Sequence, residues 1–214
     1  MSLIDSASEE SFDVKLAVCI PARDQMHTAT SFCLYNLAQD LTASDVKHNL
    51  FISPGTLIVN QRHELVKSAM EWGATHILFI DSDITFNSDH VFQLVNHDLP
   101  IVGAAYSKRV TPIIPTAWYS LDDWDSWIRV DEHTDQLIEV AAMGLGFCLI
   151  KTEVFKKINM PWFELGFRLG QYTGEDIEFF RKAGDTGIPI FLDLDITKEL
   201  GHLGTFEFKV SPDN

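Results

Sequence analysis

The chain has 214 residues, 46% hydrophobic and 22% charged, which is enough apolar material for one soluble globular core. Its formal net charge of -15 at pH 7 argues against an extended nucleic-acid surface, because polyanion binding draws on lysines and arginines that displace phosphate counterions. No apolar run of about 18 residues occurs, and the opening "MSLIDSASEESFDV" is neither basic nor apolar, so neither a membrane span nor a leader is expected and the cytoplasm is the expected location.

Residues 1–14 read as an acidic, flexible segment, 15–205 as one domain and 206–214 as a tail. "KLAVCIPARD" is rich in strand formers and stopped by Pro21, and "TATSFCLYNLAQDL" carries Phe32, Leu34, Tyr35, Leu37, Ala38 and Leu41 at helical spacing. "NLFIS" and "TLIV" read as strands, "QRHELVKSAMEWGA" as a helix closed near Gly73, and "HILFI" as a further strand. This alternation predicts an α/β layer with a mostly parallel central sheet flanked by helices. "SDHVFQLVNHD" follows as a helix and "IVGAAY" as a strand; "IIPTAWYS", "WIRV" and "LIEVAA" suggest a smaller mixed or antiparallel sheet. "GFCLIK" returns to the core, Thr152 is expected to cap "TEVFKKI", "EDIEFFRKAG" is a helix, and "IPIFLDLDI" is a last strand. The acidic stretch 120–139 reads as a solvated loop. Cys19, Cys33 and Cys148 lie far apart in apolar surroundings and read as buried thiols rather than ligands.

Asp81 and Asp83 stand where the "HILFI" strand ends, the place at which open α/β sheets bind ligands. Residues two apart on extended chain point the same way, about 6 to 7 Å apart. One carboxylate would then ligate a hard cation, Mn²⁺ or Mg²⁺, that bridges a diphosphate. The plainer alternative is a strand-ending turn before the next helix.

The segment "FIDSD" resembles the metal-binding aspartate motif of GT-A glycosyltransferases. "CIPARD", "NQRHELVKSAMEWGATHILFIDSD", "IVGAAYSKR", "MGLGFCLIKTEVFKKI", "PWF", "GEDIEFFRKAG" and "HLG" are similar, in order, to the other segments of that family, over about residues 15–204. The resemblance implies a GT-A domain that takes a sugar from a nucleotide diphosphate donor, UDP-linked first and GDP-linked second, to an acceptor hydroxyl. It implies Asp83 as principal metal ligand, His202 completing the site, and Asp81 nearer the ribose or sharing the ion through water. Pro21, Ala22, Arg23 and Asp24 would border base and ribose, together with Ser82. Arg62 would reach base or phosphates, and Lys108 and Arg109 the diphosphate or sugar. Met143, Gly144 and Gly146 would let backbone approach the donor, though they equally suit a bulge.

By the same resemblance Asp176 is the general base and Glu175 binds acceptor or exchanges roles with it. Thr173 followed by Asp176 is also a capping arrangement, and acids are favoured in a first helical turn. A carboxylate there is expected to have a depressed pKa. Trp162 and Phe163 stack on an acceptor sugar or anchor a loop. A homo-oligomer is left open.

Two other enzyme classes compete. "DSDIT" fits the pattern of haloacid-dehalogenase-type phosphatases, with Asp81 as nucleophile, but "DLDIT" at 193–197 fits it equally. A sugar nucleotidyltransferase lacks support because "PARDQMHT" is no glycine-rich triphosphate loop.

Overall fold

The computed structural model describes residues 14–110, 112–204 and 207–209. The expected flexible start falls outside them apart from Val14. In chain order the elements begin with β1 (Lys15–Ala22), α1 (Thr28–Ala43), β2 (Lys47–Pro54), α2 (Ile58–Trp72), β3 (His76–Ile80), β4 (Ile84–Thr85) and α3 (Ser88–Asn96). Then come β5 (Ile101–Gly103), β6 (Ala117–Trp118), β7 (Leu137–Glu139), β8 (Ala142–Met143), β9 (Phe147–Lys151) and α4 (Thr152–Lys157). The last third holds the hairpin β10 (Gly166–Arg168) and β11 (Gln171–Thr173), α5 (Glu175–Asp185), β12 (Phe191–Asp193), α6 (Leu194–Glu199), β13 (Gly201–Leu203) and β14 (Glu207–Lys209).

One seven-stranded sheet, ordered β2-β1-β3-β9-β5-β12-β7, forms the centre. It is mixed rather than mostly parallel. The β1–β2, β1–β3 and β5–β12 pairings are parallel, whereas β3–β9, β5–β9 and β7–β12 are antiparallel. The reversal comes from β9, which slots between β3 and β5. Its continuous apolar run reflects burial on both faces, and burial writes the same composition whichever way the strand points.

Side-chain alternation divides the core into two layers. Ala17, Cys19, Ile77 and Phe79 face a cluster with Leu65, Val66 and Ala69 of α2, Phe155 of α4, and Phe179 and Phe180 of α5. Leu16, Val18, Ile20, Leu78 and Ile80 face Leu34, Leu37 and Leu41 of α1, Val91 and Leu94 of α3, and Ile196 of α6. Cys19 and Cys148 are buried as expected, while Cys33 is half-buried. Among the described residues no helix is long and apolar enough to cross a membrane.

Other expectations shift locally. "TLIV" is not a strand: Leu57 is the N-cap of α2 and Ile58 its first residue. Gly73 closes that helix with φ 81°, a left-handed conformation that glycine takes without steric cost. Thr152 is the first residue of α4 rather than its cap, and its hydroxyl donates to the Thr75 carbonyl at 3.1 Å. "WIRV" supplies a single bridge, Trp118 to Trp127, and a 3-10 turn, Val130–Glu132. Antiparallel pairs do form nearby and beyond: β6–β8, β10–β11 and the three-stranded β14-β13-β4. The last of these takes Glu207–Lys209 out of the expected tail and pairs it with β13.

"IPIFLDLDI" splits because of Asp193. Its Oδ1 accepts from the Asp195 and Ile196 amides, each at 3.0 Å, and starts α6. Its Oδ2 accepts from Gln93 at 2.6 Å and bonds the His97 ring at 2.8 Å. The side chain is fully buried, so Asp193→Ala would strip a cap and leave several polar groups unpartnered. It is expected to lower the unfolding free energy by about 2 to 4 kcal/mol in urea titrations.

Candidate functional site

The carboxyl ends of β1 and β3 and the start of α5 enclose a cleft of about 380 Å³, lined among others by Pro21, Arg23, Asp81, Asp83, Glu175 and Asp176. Arg62, Ser82, Tyr106, Arg109, Gln61 and His202 also line it. Residues from the first strand to the last third of the chain thus meet in one place, and the motif aspartates Asp81 and Asp83, His202 and the helix-start acids Glu175 and Asp176 are all among them.

Arg62 organises the cleft. It projects from α2, is buried, and donates from Nε to Glu175 at 2.9 Å, from Nη2 to Asp81 at 3.1 Å and from Nη1 to the Leu145 carbonyl at 3.4 Å. Burial alone would favour loss of its proton, but the Asp81 and Glu175 carboxylates outweigh it and hold its pKa above the usual arginine value. A guanidinium engaged on three sides by protein holds its partners in place, and Arg62 also lines the cleft. Gln61, one residue earlier, donates to the Ala22 carbonyl at 3.0 Å and the Ser53 carbonyl at 2.6 Å, so it holds the ends of β1 and β2 against α2.

The two motif aspartates are in different states. Asp81 receives Arg62 on Oδ1 and the Tyr106 hydroxyl, at 3.4 Å, on Oδ2. Desolvation raises its pKa, opposed by Arg62. Asp83 pairs with Arg109 through Oδ2 and faces His202 Nε2 at 3.6 Å through Oδ1. Burial would lift the Asp83 carboxyl, but the His202 ring and the Arg109 guanidinium together hold it below the usual value.

The His202 ring is aimed. Nδ1 lies 2.7 Å from the Ser107 carbonyl oxygen, an acceptor only, so this nitrogen carries a proton and the ring is turned with Nε2 toward Asp83. Metal-binding histidines are oriented in the same way by a bond from the other ring nitrogen. Tyr106 packs edge-on against the ring at 4.9 Å. An imidazole nitrogen and a carboxylate oxygen suit Mn²⁺ or Mg²⁺ if a ligand and water supply the remaining positions. Among the described residues no group of three or more His, Cys, Asp or Glu is placed to hold an ion alone, and Asp81 is committed to Arg62 and Tyr106.

At the start of α5 the expected capping arrangement is absent. Gly174 is the N-cap, and the Thr173 hydroxyl donates to Glu178 at 2.8 Å. Asp176 accepts from the Ile177 amide at 2.8 Å through Oδ1, and no partner is recorded for its Oδ2 among the described residues. Its pKa is not depressed: desolvation and the adjacent Glu175 push it up to about 6. The helix dipole is too small an effect to offset these two. Glu175 is buried on Arg62, which leaves Asp176 as the acid open to the cleft.

Several predicted contacts are placed elsewhere. Lys108 turns away, its ammonium 5.1 Å from the centre of the Trp118 ring. Ala22 and Asp24 flank Pro21 and Arg23 without lining the cleft. Met143 is fully buried, and Gly144 and Gly146 serve Tyr106 rather than a ligand: a Cβ on Gly144 would stand 2.6 Å from its hydroxyl, and one on Gly146 2.7 Å from Asp81 Oδ2. Trp162 and Phe163 are buried, as the anchoring alternative expects. Trp162 stacks on His63 at 5.7 Å and donates to the Phe155 carbonyl at 2.9 Å, and Phe163 stacks on Phe179 at 5.2 Å. Tyr106 and Gln61 were missed by sequence reasoning. The tyrosine stood inside the quoted segment "IVGAAYSKR", where its single polar atom at the end of an apolar run was the available signal.

No protein-family model and no curated protein matches the chain. Among solved structures it is similar to the crystal structure of A197 from STIV, with a TM-score of 0.61 over 94% of this chain and 96% of that one, at 18% sequence identity. At that identity the likeness shows a shared mixed α/β fold.

Arg62→Met would leave Asp81 and Glu175 without their shared counter-ion. Removing one partner from a buried ion network costs about 3 to 5 kcal/mol, and chemical denaturation is expected to read a loss of that size.

Proposed function

We propose that the chain is a GT-A glycosyltransferase that moves a sugar from a nucleotide diphosphate sugar to an acceptor hydroxyl with inversion, UDP being the first base to test and GDP the second. The observation that carries the reading is the pairing, in one cleft, of an Asp83–His202 cation position with an ionisable carboxylate, Asp176, that protein contacts leave open.

Asp83 and His202 would hold Mn²⁺ or Mg²⁺, which when bound supplies charge neutralisation for a departing diphosphate. Arg109, whose guanidinium now rests on Asp83, is a second cationic group at the same place. Pro21, Arg23 and Ser82 line the wall beside the ends of β1 and β3 and suit base and ribose. Asp176 accepts the acceptor's proton as the hydroxyl oxygen bonds to the anomeric carbon, and the carbon–oxygen bond to the diphosphate breaks with its electron pair leaving on phosphate. A carboxylate tuned to about 6 is a better base near neutrality than an ordinary aspartate and is still mostly ionised there. Arg62 fixes the span between the motif strand and the base helix, which supports transfer by positioning.

The phosphatase alternative is less well supported, since both Asp81 oxygens are hydrogen-bonded by Arg62 and Tyr106. Its second match, at 193–197, is a helix cap.

Asp83→Ala is expected to abolish Mn²⁺-dependent affinity for UDP or GDP in calorimetry; unchanged affinity would remove it as a ligand. Asp176→Asn is expected to keep donor binding and to lower transfer by about 10² to 10⁴-fold, and near-normal turnover would dismiss it as base. Because only the ionised carboxylate takes up a proton, wild-type transfer should rise with pH through about 6 and level off above, and the variant should lose that limb.

A further inference from the structure

Burial of large apolar side chains lapses around Phe163, between α4 and α5. Five large apolar residues, Met160, Leu165, Phe167, Leu169 and Tyr172, are between 60% and 84% exposed within a stretch of thirteen residues. Among the described residues only Phe32 and Tyr35 elsewhere reach this exposure. Phe167 and Tyr172 are cross-strand partners in the hairpin β10–β11, their ring centres 5.2 Å apart. Concentrated exposed apolar surface of this kind marks a contact site.

The hairpin is held firmly from below. Glu178 of α5 is buried and accepts from the Thr173 hydroxyl at 2.8 Å, Arg168 Nε at 3.0 Å and Arg181 Nε at 2.8 Å. At Gly166 a Cβ would run into that carboxylate, so glycine permits the close approach. The turn between the strands consists of Leu169 at φ 49° and Gly170 at φ 81°. Such two-residue turns favour asparagine or glycine, and a leucine there carries strain. An apolar side chain therefore stands at the tip in spite of local backbone preference.

The charge of this region differs from that of the rest. Residues 151–182 carry six lysines and arginines and five carboxylates, in a chain whose totals are 16 and 31. Lys156 and Lys157 are exposed at the end of α4, and the neighbouring Phe155 packs against Trp162 and Phe163 at the foot of the hairpin. Two exposed lysines in the same near-neutral segment as the apolar tips, on a molecule otherwise strongly acidic, fit a surface that offers acyl chains and anionic headgroups together. A glycan would need polar partners for its hydroxyls, and Arg168 is already engaged by Glu178.

We propose that the β10–β11 hairpin docks this protein peripherally on a lipid bilayer, with Phe167, Leu169 and Tyr172 entering the headgroup–acyl boundary. Co-sedimentation with sucrose-loaded phosphatidylcholine–phosphatidylglycerol vesicles tests it without any turnover, so the result stands apart from the transferase reading. The full chain is expected to pellet with vesicles, and Phe167→Ser combined with Tyr172→Ser, both exposed positions, to lower the partition coefficient about tenfold or more with an unchanged circular dichroism spectrum. A wild-type protein that stays in the supernatant, or a double variant that binds equally, would overturn the proposal. So would self-association in analytical ultracentrifugation that the double variant abolishes while vesicle binding is absent, since the patch would then cover a second copy.

Discussion

The guanidinium of Arg62 is the constraint on which the cleft depends. It joins Asp81 at the end of β3 to Glu175 at the start of α5, and its third side is taken by the Leu145 carbonyl just before β9. A charge this deeply buried gains little net stability, because desolvation offsets most of its Coulomb attraction. What it imposes is geometry. Five donors in a rigid fork accept few arrangements of their partners, so the two carboxylates sit where the fork requires. Gln61 adds the ends of β1 and β2 to the same assembly, and one turn of α2 thereby sets the relative positions of five segments.

Four carboxylates share this cleft, and their surroundings separate them. Asp81 and Glu175 are spent on Arg62. Asp83 is kept ionised by His202 and Arg109 against its burial, whereas Asp176, beside the Glu175 charge and away from direct contact with a cation, is pushed up to about 6. Side chains of one chemical type are thus divided into two counter-ions of Arg62, one carboxyl held below its usual value and one raised above it, by what lies within a few ångströms of each. The division is the strongest physical reason to regard the cleft as chemical rather than structural.

Much of this was legible in the sequence. "HILFI" gave the bounds of β3 because an apolar run between Thr75 and Asp81 has little freedom in where it begins and ends. Asp81 and Asp83 were named from their place at the end of a strand, and Glu175, Asp176 and His202 from the resemblance of their segments to GT-A glycosyltransferases, because acids at a helix start also read as caps. The direction of β9 was not legible, since a doubly buried strand looks alike in either orientation. "TLIV" has the β-branched content of a strand, yet it leads into α2, where Gln61, Arg62 and Leu65 pack inward: tertiary burial overrides local propensity. The sense of the Asp176 shift depends on desolvation and on Glu175, neither of which a helix-start pattern reports.

The aromatic residues of 160–172 show the same limit in a form that bears on function. Trp162 and Phe163, which in sequence suit either a stacking platform or a loop anchor, are core, whereas Phe167 and Tyr172 are exposed. What separates the two pairs is a few residues of chain and the anchor at Glu178. That carboxylate lies one turn along α5 from Glu175, so the helix is gripped on successive turns by Arg62 and by the Thr173, Arg168 and Arg181 donors. Burial would raise the Glu178 carboxyl, but those donors reverse the effect and keep it ionised. A helix fixed at two adjacent turns cannot rotate without breaking one set of charge-assisted bonds. Asp176, between the two, is therefore held in direction even though few contacts are its own.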